Sequence, residues 1–358
     1  METIYKTLAQ RLDKIPNGYP ETESGVELKI LAKLFTPEEA DIACHLNLSP
    51  KSAEQLSQSI QQDKKHIQGL LKSMLKKGLI SISKEGRQLG FKLIPFIVGF
   101  YENQNANIDQ EFAELFEAYY QESLYKMMTA GPSVHRVIPI EKNIPVNIEV
   151  MPYEKASTYV EKSKAWGVLN CVCRLQKQLI GEGCNHSVEN CLVFSTKENQ
   201  FKKVDHIRAI DKQEAYQILE QAHQEGLVHS TSNTQDEVSY ICNCCTCSCG
   251  VMRTIAEHNN LNALAASEFQ ISIDQDSCSG CGDCIEPCQF GALSLNEDSC
   301  QADISRCFGC GICISHCPTE SLQMKNKDEK NVERPPRTEQ DWMEIRSQNR
   351  GFDFNPDF

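Results

Sequence analysis

The hydrophobic positions of the chain change period several times, and each change marks an element. Ile67, Leu70, Leu71, Met74 and Leu75 recur at i, i+3, i+4 and i+7 spacing, which predicts a helix over 63–80 ended by Gly78. Two shorter helices are expected ahead of it, over 35–48 and over 52–60, the second with Ser52 as its N-cap. Residues 81–93 read as two strands about the turn Glu85-Gly86. Residues 105–128 predict one long amphipathic helix, a connector or a dimer surface. Beyond it, 134–150 read as extended, 153–166 as a helix and 168–175 as a strand running into a cysteine site. Residues 211–226 predict a helix, with Asp211 and Glu214 in capping-box spacing and Gly226 at its end. The expected fold class is α+β multidomain. An N-terminal extension (1–25) precedes a helical domain (26–100), a connector (101–130), a mixed α/β cysteine-rich domain (131–268) and a compact unit (269–326). The polar tail 327–358 has no core pattern and is expected to lie extended over the surface or to be partly disordered.

Composition narrows the setting. The 358 residues, 40% hydrophobic and 24% charged, suit a soluble globular protein of two or three units. No apolar run approaches the roughly 20 residues of a membrane span, and the first twenty residues lack the layout of a secretion signal. A cytoplasmic protein is expected. There thiols stay reduced, so nineteen cysteines point to metal ligands rather than disulfides. Only Cys44 precedes Cys171; the other eighteen lie between Cys171 and Cys317. The net charge of −13 argues against a protein that coats nucleic acid, although residues 26–95 carry eleven Lys+Arg against seven Asp+Glu.

The strongest signal is an internal repeat. Cys278, Cys281, Cys284 and Cys288 recur as Cys307, Cys310, Cys313 and Cys317, and Gly280 and Gly282 recur as Gly309 and Gly311, all offset by 29. Each copy spells C-x2-C-x2-C-x3-C, the run in which three cysteines hold one [4Fe-4S] cluster and the fourth reaches the other cluster. This assigns one cluster to Cys278, Cys281, Cys284 and Cys317, and a second to Cys307, Cys310, Cys313 and Cys288. Zinc, which takes two pairs of ligands, fits two runs of four badly. Pro318 follows the last ligand, whereas Gln289 replaces the equivalent proline of the first copy. This stretch resembles the bacterial dicluster ferredoxins. The resemblance implies a pseudo-twofold α+β fold, low-potential one-electron transfer and docking of its acidic surface on a basic patch of a redox partner.

Nine further cysteines form two patches: Cys171, Cys173, Cys184 and Cys191, then Cys242, Cys244, Cys245, Cys247 and Cys249. Each patch could hold its own metal, an iron–sulfur cluster or a zinc; both could share one third cluster; or the second patch could be a reactive thiol site. His186, between Cys184 and Cys191, is the histidine to test; His206, His223 and His229 are scattered. Cys300 and Cys44 are expected to be inert. The order helix, helix, helix, hairpin over 26–95 resembles a winged-helix domain. The whole layout, carried by Cys171-Val172-Cys173-Arg174, Gly183-Cys184, Cys191-Leu192-Val193-Phe194 and Ile241-Cys242-Asn243-Cys244-Cys245, resembles 4Fe-4S dicluster proteins of anaerobic bacteria and archaea. Thr246 and Ser248 stand where that family tends to place Gly and Cys. Three functions follow: an electron-transfer protein, a redox- or iron-responsive DNA-binding regulator, or an oxidoreductase with a cysteine-rich substrate site. For the regulator, Lys64, Lys65, His66, Lys72, Lys76, Lys77, Lys84 and Arg87 would meet phosphates. No nucleotide-binding fingerprint is present, and no catalytic residue is assigned.

Overall fold

The computed structural model describes residues 2–85, 88–204, 206–296 and 298–358. The chain divides into two compact units. The first joins residues 1–127 to 175–183 and 343–358; the second comprises 128–174 and 184–342. Among the described residues, no helix is long and apolar enough to cross a membrane.

The first unit is helical with one hairpin. Helices Glu2–Asp13, Val26–Leu34, Pro37–Ala43, Ala53–Ile60 and Lys64–Lys76 precede the antiparallel strands β1 (Ile80–Glu85) and β2 (Gln88–Leu93). Thr36 and Ser52 each close a capping box, with Glu39 and Gln55, so these two starts follow from local chemistry. The turn Glu85-Gly86 and the side chains of Lys84 and Arg87 lie outside the described residues. Two of the expected phosphate-facing lysines already have carboxylate partners: Lys64 pairs with Glu54, and Lys77 meets the buried Glu39 at 2.6 Å.

Two expectations need correction here. The amphipathic segment starts at Gln110, runs as an α-helix to Tyr119 and passes through a wider π-turn at Tyr120–Leu124. Its apolar residues Phe112, Ala113, Phe116, Tyr119, Tyr120 and Leu124 are buried, and Phe116 stacks on Tyr101 at 4.0 Å. That apolar face packs inside the unit. The tail is not extended throughout, since Glu339–Asn349 is a helix. Fully buried Arg346 donates to the carbonyls of Pro16 and Met127, and Arg350 to those of Asp13 and Ile15. A tail anchored by the buried Arg346 and the partly buried Arg350 shows no apolar stripe, and its pattern therefore looks like that of a free segment.

The second unit is built on a seven-stranded sheet. Its strands are β3 (His135–Val137), β4 (Ala165–Asn170), β5 (Glu189–Ser195), β6 (Arg208–Ile210), β7 (Val228–Ser232), β8 (Tyr240–Cys244) and β9 (Leu264–Ala265), in the order β6-β4-β5-β8-β7-β3-β9. All pairs are antiparallel except β3 with β9. Val168, Leu192, Phe194 and Ile241 pack against residues of helices Ala156–Lys162 and Lys212–Gln224. The expected helix over 153–166 is thus only Ala156–Lys162, and the expected strand over 168–175 ends at Asn170. Helix Val172–Leu179 follows at once, so Cys173 and Arg174 stand on its first turn.

The repeat adds two small sheets. β10 (Phe269–Ile273) pairs with β13 (Leu322–Asn326), and β11 (Leu293–Asn296) with β12 (Ser299–Ala302). A shift of 29 residues carries β11 onto the start of β13 and brings β10 over β12. The strand before each cysteine run therefore pairs with the strand after the other run, which is the arrangement of a duplicated module packed on its copy.

Candidate iron–sulfur and cysteine sites

Glycines shape both cysteine loops of the repeat. Gly280 and Gly309 have φ of 67° and 66°, and Gly282 and Gly311 have 83° and 81°, so the two copies turn alike. A Cβ on Gly280 would strike the Asp298 carbonyl, and one on Gly309 the Phe269 carbonyl. Cys278, Cys281, Cys284 and Cys317 line one small cavity. Cys310 and Cys313 lie within electrostatic reach of Cys288 and Cys307, and burial, the largest influence, pushes the Cys310 thiol up to about 12. The donor sets are four sulfurs each on loops that only glycine can follow, and they suit an iron–sulfur cubane.

The surroundings of the two quartets differ. Cys317 Sγ is 3.2 Å from Ser321 Oγ and 3.6 Å from Thr319 Oγ1. Burial pushes that thiol up, but these hydroxyls and the neighbouring amides outweigh it and bring it to about 7. At the position 29 residues earlier, Cys288 receives the amide of Ala292 at 3.3 Å, and Ala292 carries no hydroxyl. Cys300 is buried, lines the first cavity, donates its amide to Cys278 Sγ at 3.4 Å and lies 3.5 Å from Cys284 Sγ. Burial, the largest influence, raises its thiol to about 12.

The central cysteines separate into two groups that cut across the two sequence patches. Cys184, His186, Cys245 and Cys247 bring one ligand atom each within 4.8 Å of the others. His186 Nδ1 lies 3.2 Å from Cys184 Sγ, and the two sulfurs of Cys184 and Cys245 are 4.0 Å apart. Arg174, 1% exposed, donates to the Asn243 carbonyl, to Asn190 Oδ1 and, at 3.5 Å, to Cys245 Sγ. The contact with Cys247, helped by His186 and Arg174, brings the Cys245 thiol down to about 4 against the opposing effect of burial. Three sulfurs and one imidazole at this spacing form a closed four-donor set of the kind that structural zinc prefers. Cys171, Cys173, Cys191, Cys242, Cys244 and Cys249 form the other group.

His229 and His223 have partners of their own outside the Cys184 set. His229 Nδ1 meets Asn243 Oδ1 at 2.6 Å, and burial pushes its pKa down to about 4. His223 Nε2 meets Ser315 Oγ at 2.9 Å. Cys44 sits at a helix end 3.9 Å from the Ile4 carbonyl, its thiol raised to about 11 by burial.

Gln289 links the module to these cysteines. Its Oε1 accepts from the Thr246 amide and hydroxyl at 3.0 and 2.9 Å, and its Nε2 donates to the Gly226 carbonyl at 3.2 Å. Thr246 lies between Cys245 and Cys247, so the residue that replaces proline is a clamp.

The family of 4Fe-4S binding domains matches residues 271–294 and 301–323, one stretch over each copy of the repeat. No curated protein matches the chain. The C-terminal module is a 4Fe-4S binding module with electron-transfer capacity, and the match does not extend to the rest of the chain.

Proposed function

We propose that the protein carries two [4Fe-4S] clusters and passes single low-potential electrons between a redox partner and the cysteine-rich region of its second unit. When bound, the clusters supply one-electron chemistry without change of ligands. Cys278, Cys281, Cys284 and Cys317 would hold one, and Cys307, Cys310, Cys313 and Cys288 the other. The observation that carries the reading is the pair of equivalent four-cysteine runs, alike in ligand spacing and in left-handed glycines. Cys184, His186, Cys245 and Cys247 would hold a structural metal. The acidic run 274–325, with eight Asp+Glu against two Lys+Arg, would meet a basic patch on the partner.

The test is iron and acid-labile sulfide per chain in anaerobically purified protein, with EPR on the reduced form. Cys281→Ser and Cys310→Ser should each remove the signal of one cluster and leave the other. If either substitution abolished both signals in a folded chain, or removed neither, the assignment would fail.

A further inference from the structure

Six of the central cysteines close a circuit. Cys171 interacts with Cys173 and Cys191, Cys173 with Cys249, Cys249 with Cys244, Cys244 with Cys242, and Cys242 with Cys191. The fold explains why these six meet. Ile241 pairs with Leu192, so Cys191 and Cys242 fall opposite each other on adjacent strands, on the face away from the helix-packed core. Cys244, two residues on, shares the face of Cys242. Cys171 follows β4 directly, Cys173 stands on the first turn of helix Val172–Leu179, and Cys249 is the N-cap of helix Gly250–His258. Two helix N-termini thus bring their positive ends to the circuit, where they favour thiolates.

The width of the circuit decides what it can hold. With metal–sulfur bonds of about 2.3 Å, two ligands of one zinc ion are at most about 4.6 Å apart. Among the described residues, the only donors of this kind all within 4.8 Å of one another are Cys184, His186, Cys245 and Cys247. None of the six belongs to that compact set. Six thiols in one closed circuit exceed the four ligands that a single zinc ion takes, as the ligands of a polynuclear centre do. A second observation points the same way. His135 is 4% exposed, both its ring nitrogens lack a partner, and it lies beside Cys249. An imidazole buried without a partner beside a thiol ring implies a missing acceptor or ligand.

We propose that Cys171, Cys173, Cys191, Cys242, Cys244 and Cys249 hold a third, polynuclear iron–sulfur centre, separate from the Cys184/His186/Cys245/Cys247 site, with His135 directed at it. Assembly displaces the thiol protons to solvent. The proposal goes beyond the two-cluster reading and stands or falls independently of it.

Iron, zinc and labile sulfide per chain decide it. The intact protein should carry about twelve irons, eight for two cubanes and at least four more. A Cys242→Ser/Cys244→Ser variant should fall to about eight, keep both ferredoxin-type EPR signals and keep its zinc. A His186→Ala/Cys247→Ser variant should lose zinc and keep iron. About eight irons in the intact protein, or zinc rather than iron lost from the first variant, overturns the third centre and leaves the two-cluster reading intact. If the first variant does not fold, Cys278→Ser/Cys281→Ser/Cys307→Ser/Cys310→Ser, which leaves each ferredoxin-type quartet only two cysteines, decides: about four irons with sulfide support the centre, and none overturns it.

Discussion

Ser321→Ala should lower the reduction potential of one cluster and leave the other unmoved. The hydroxyl of Ser321 lies 3.2 Å from Cys317 Sγ, and the residue is 2% exposed, so no water replaces the lost donor at once. Alanine only removes an oxygen, and the Ser321 amide, which also bonds Cys317, is retained. A neutral hydrogen bond contributes about 0.5–1.5 kcal/mol net. The reduced cluster is more negative than the oxidised one, so the bond favours the reduced state. For one electron, about 1.4 kcal/mol corresponds to 59 mV, which makes the expected drop roughly 20–60 mV. The repeat supplies the reciprocal experiment, since Ala292 stands where Ser321 stands in the other copy. Ala292→Ser should raise the potential of the cluster that uses Cys288. Potentiometric titration followed by EPR reads both clusters in one sample. If Ser321→Ala moved both by the same amount, or raised either, the account of the asymmetry would be wrong.

Other substitutions probe the scaffold. Gly309→Ala puts a Cβ into the Phe269 carbonyl at a φ of 66° and should cost the second cluster, read as lost iron. Gly181→Ala, at a φ of 79° with nothing within 4 Å, should cost only the backbone term of about 1–2 kcal/mol in thermal unfolding. Gln289→Ala should leave the iron count unchanged but quicken metal release from the Cys184 site to a chelator, since Thr246 loses an acceptor. Glu154 is held up at about 7, chiefly by burial, with the Arg136 guanidinium opposing at 3.9 Å. The folded state therefore binds the proton more tightly than the unfolded one, and the stability this contributes is full below about pH 4.3 and lost as pH rises through 7. Thermal unfolding from pH 5 to 8 should show wild type losing a few kcal/mol relative to Glu154→Gln; parallel curves would refute the assignment.

The C-terminal module was legible because its chemistry is written in one short run with a repeat. The central site was not, for a geometrical reason. Cys242, Cys244 and Cys245 look like one patch, yet side chains alternate along β8, so Cys242 and Cys244 share a face and Cys245 turns toward Cys184 and His186. Sorting nine thiols into six and three requires the register of β5 on β8, which the cysteine spacing alone does not reveal. His186 was visible from its position between two cysteines. His135 was not, since it lies 36 residues from Cys171 and meets the group through strand order. The helix 63–80 was read almost to its ends because its stripe is regular, whereas Arg346 and Arg350 anchor the tail by charge-assisted bonds to carbonyls, which leave no hydrophobic period to read.

Gln289 gives the strongest argument that the module and the central cysteines work together. A proline at this position would stiffen the turn after Cys288 but offers no side-chain amide. Glutamine uses both ends of its amide: the oxygen takes two donors from Thr246, and the nitrogen holds Gly226. The result is a path of covalent and hydrogen bonds from Cys288, in the proposed second quartet, to Cys245 and Cys247. The second copy keeps Pro318 after Cys317. Its quartet includes the exposed Cys281 and faces hydroxyls rather than the central cysteines. On the proposed route, the cluster held with Cys281 would meet the outside partner and the other would serve the interior cysteines. The two copies differ at the residues this route depends on, Gln289 against Pro318 and Ala292 against Ser321.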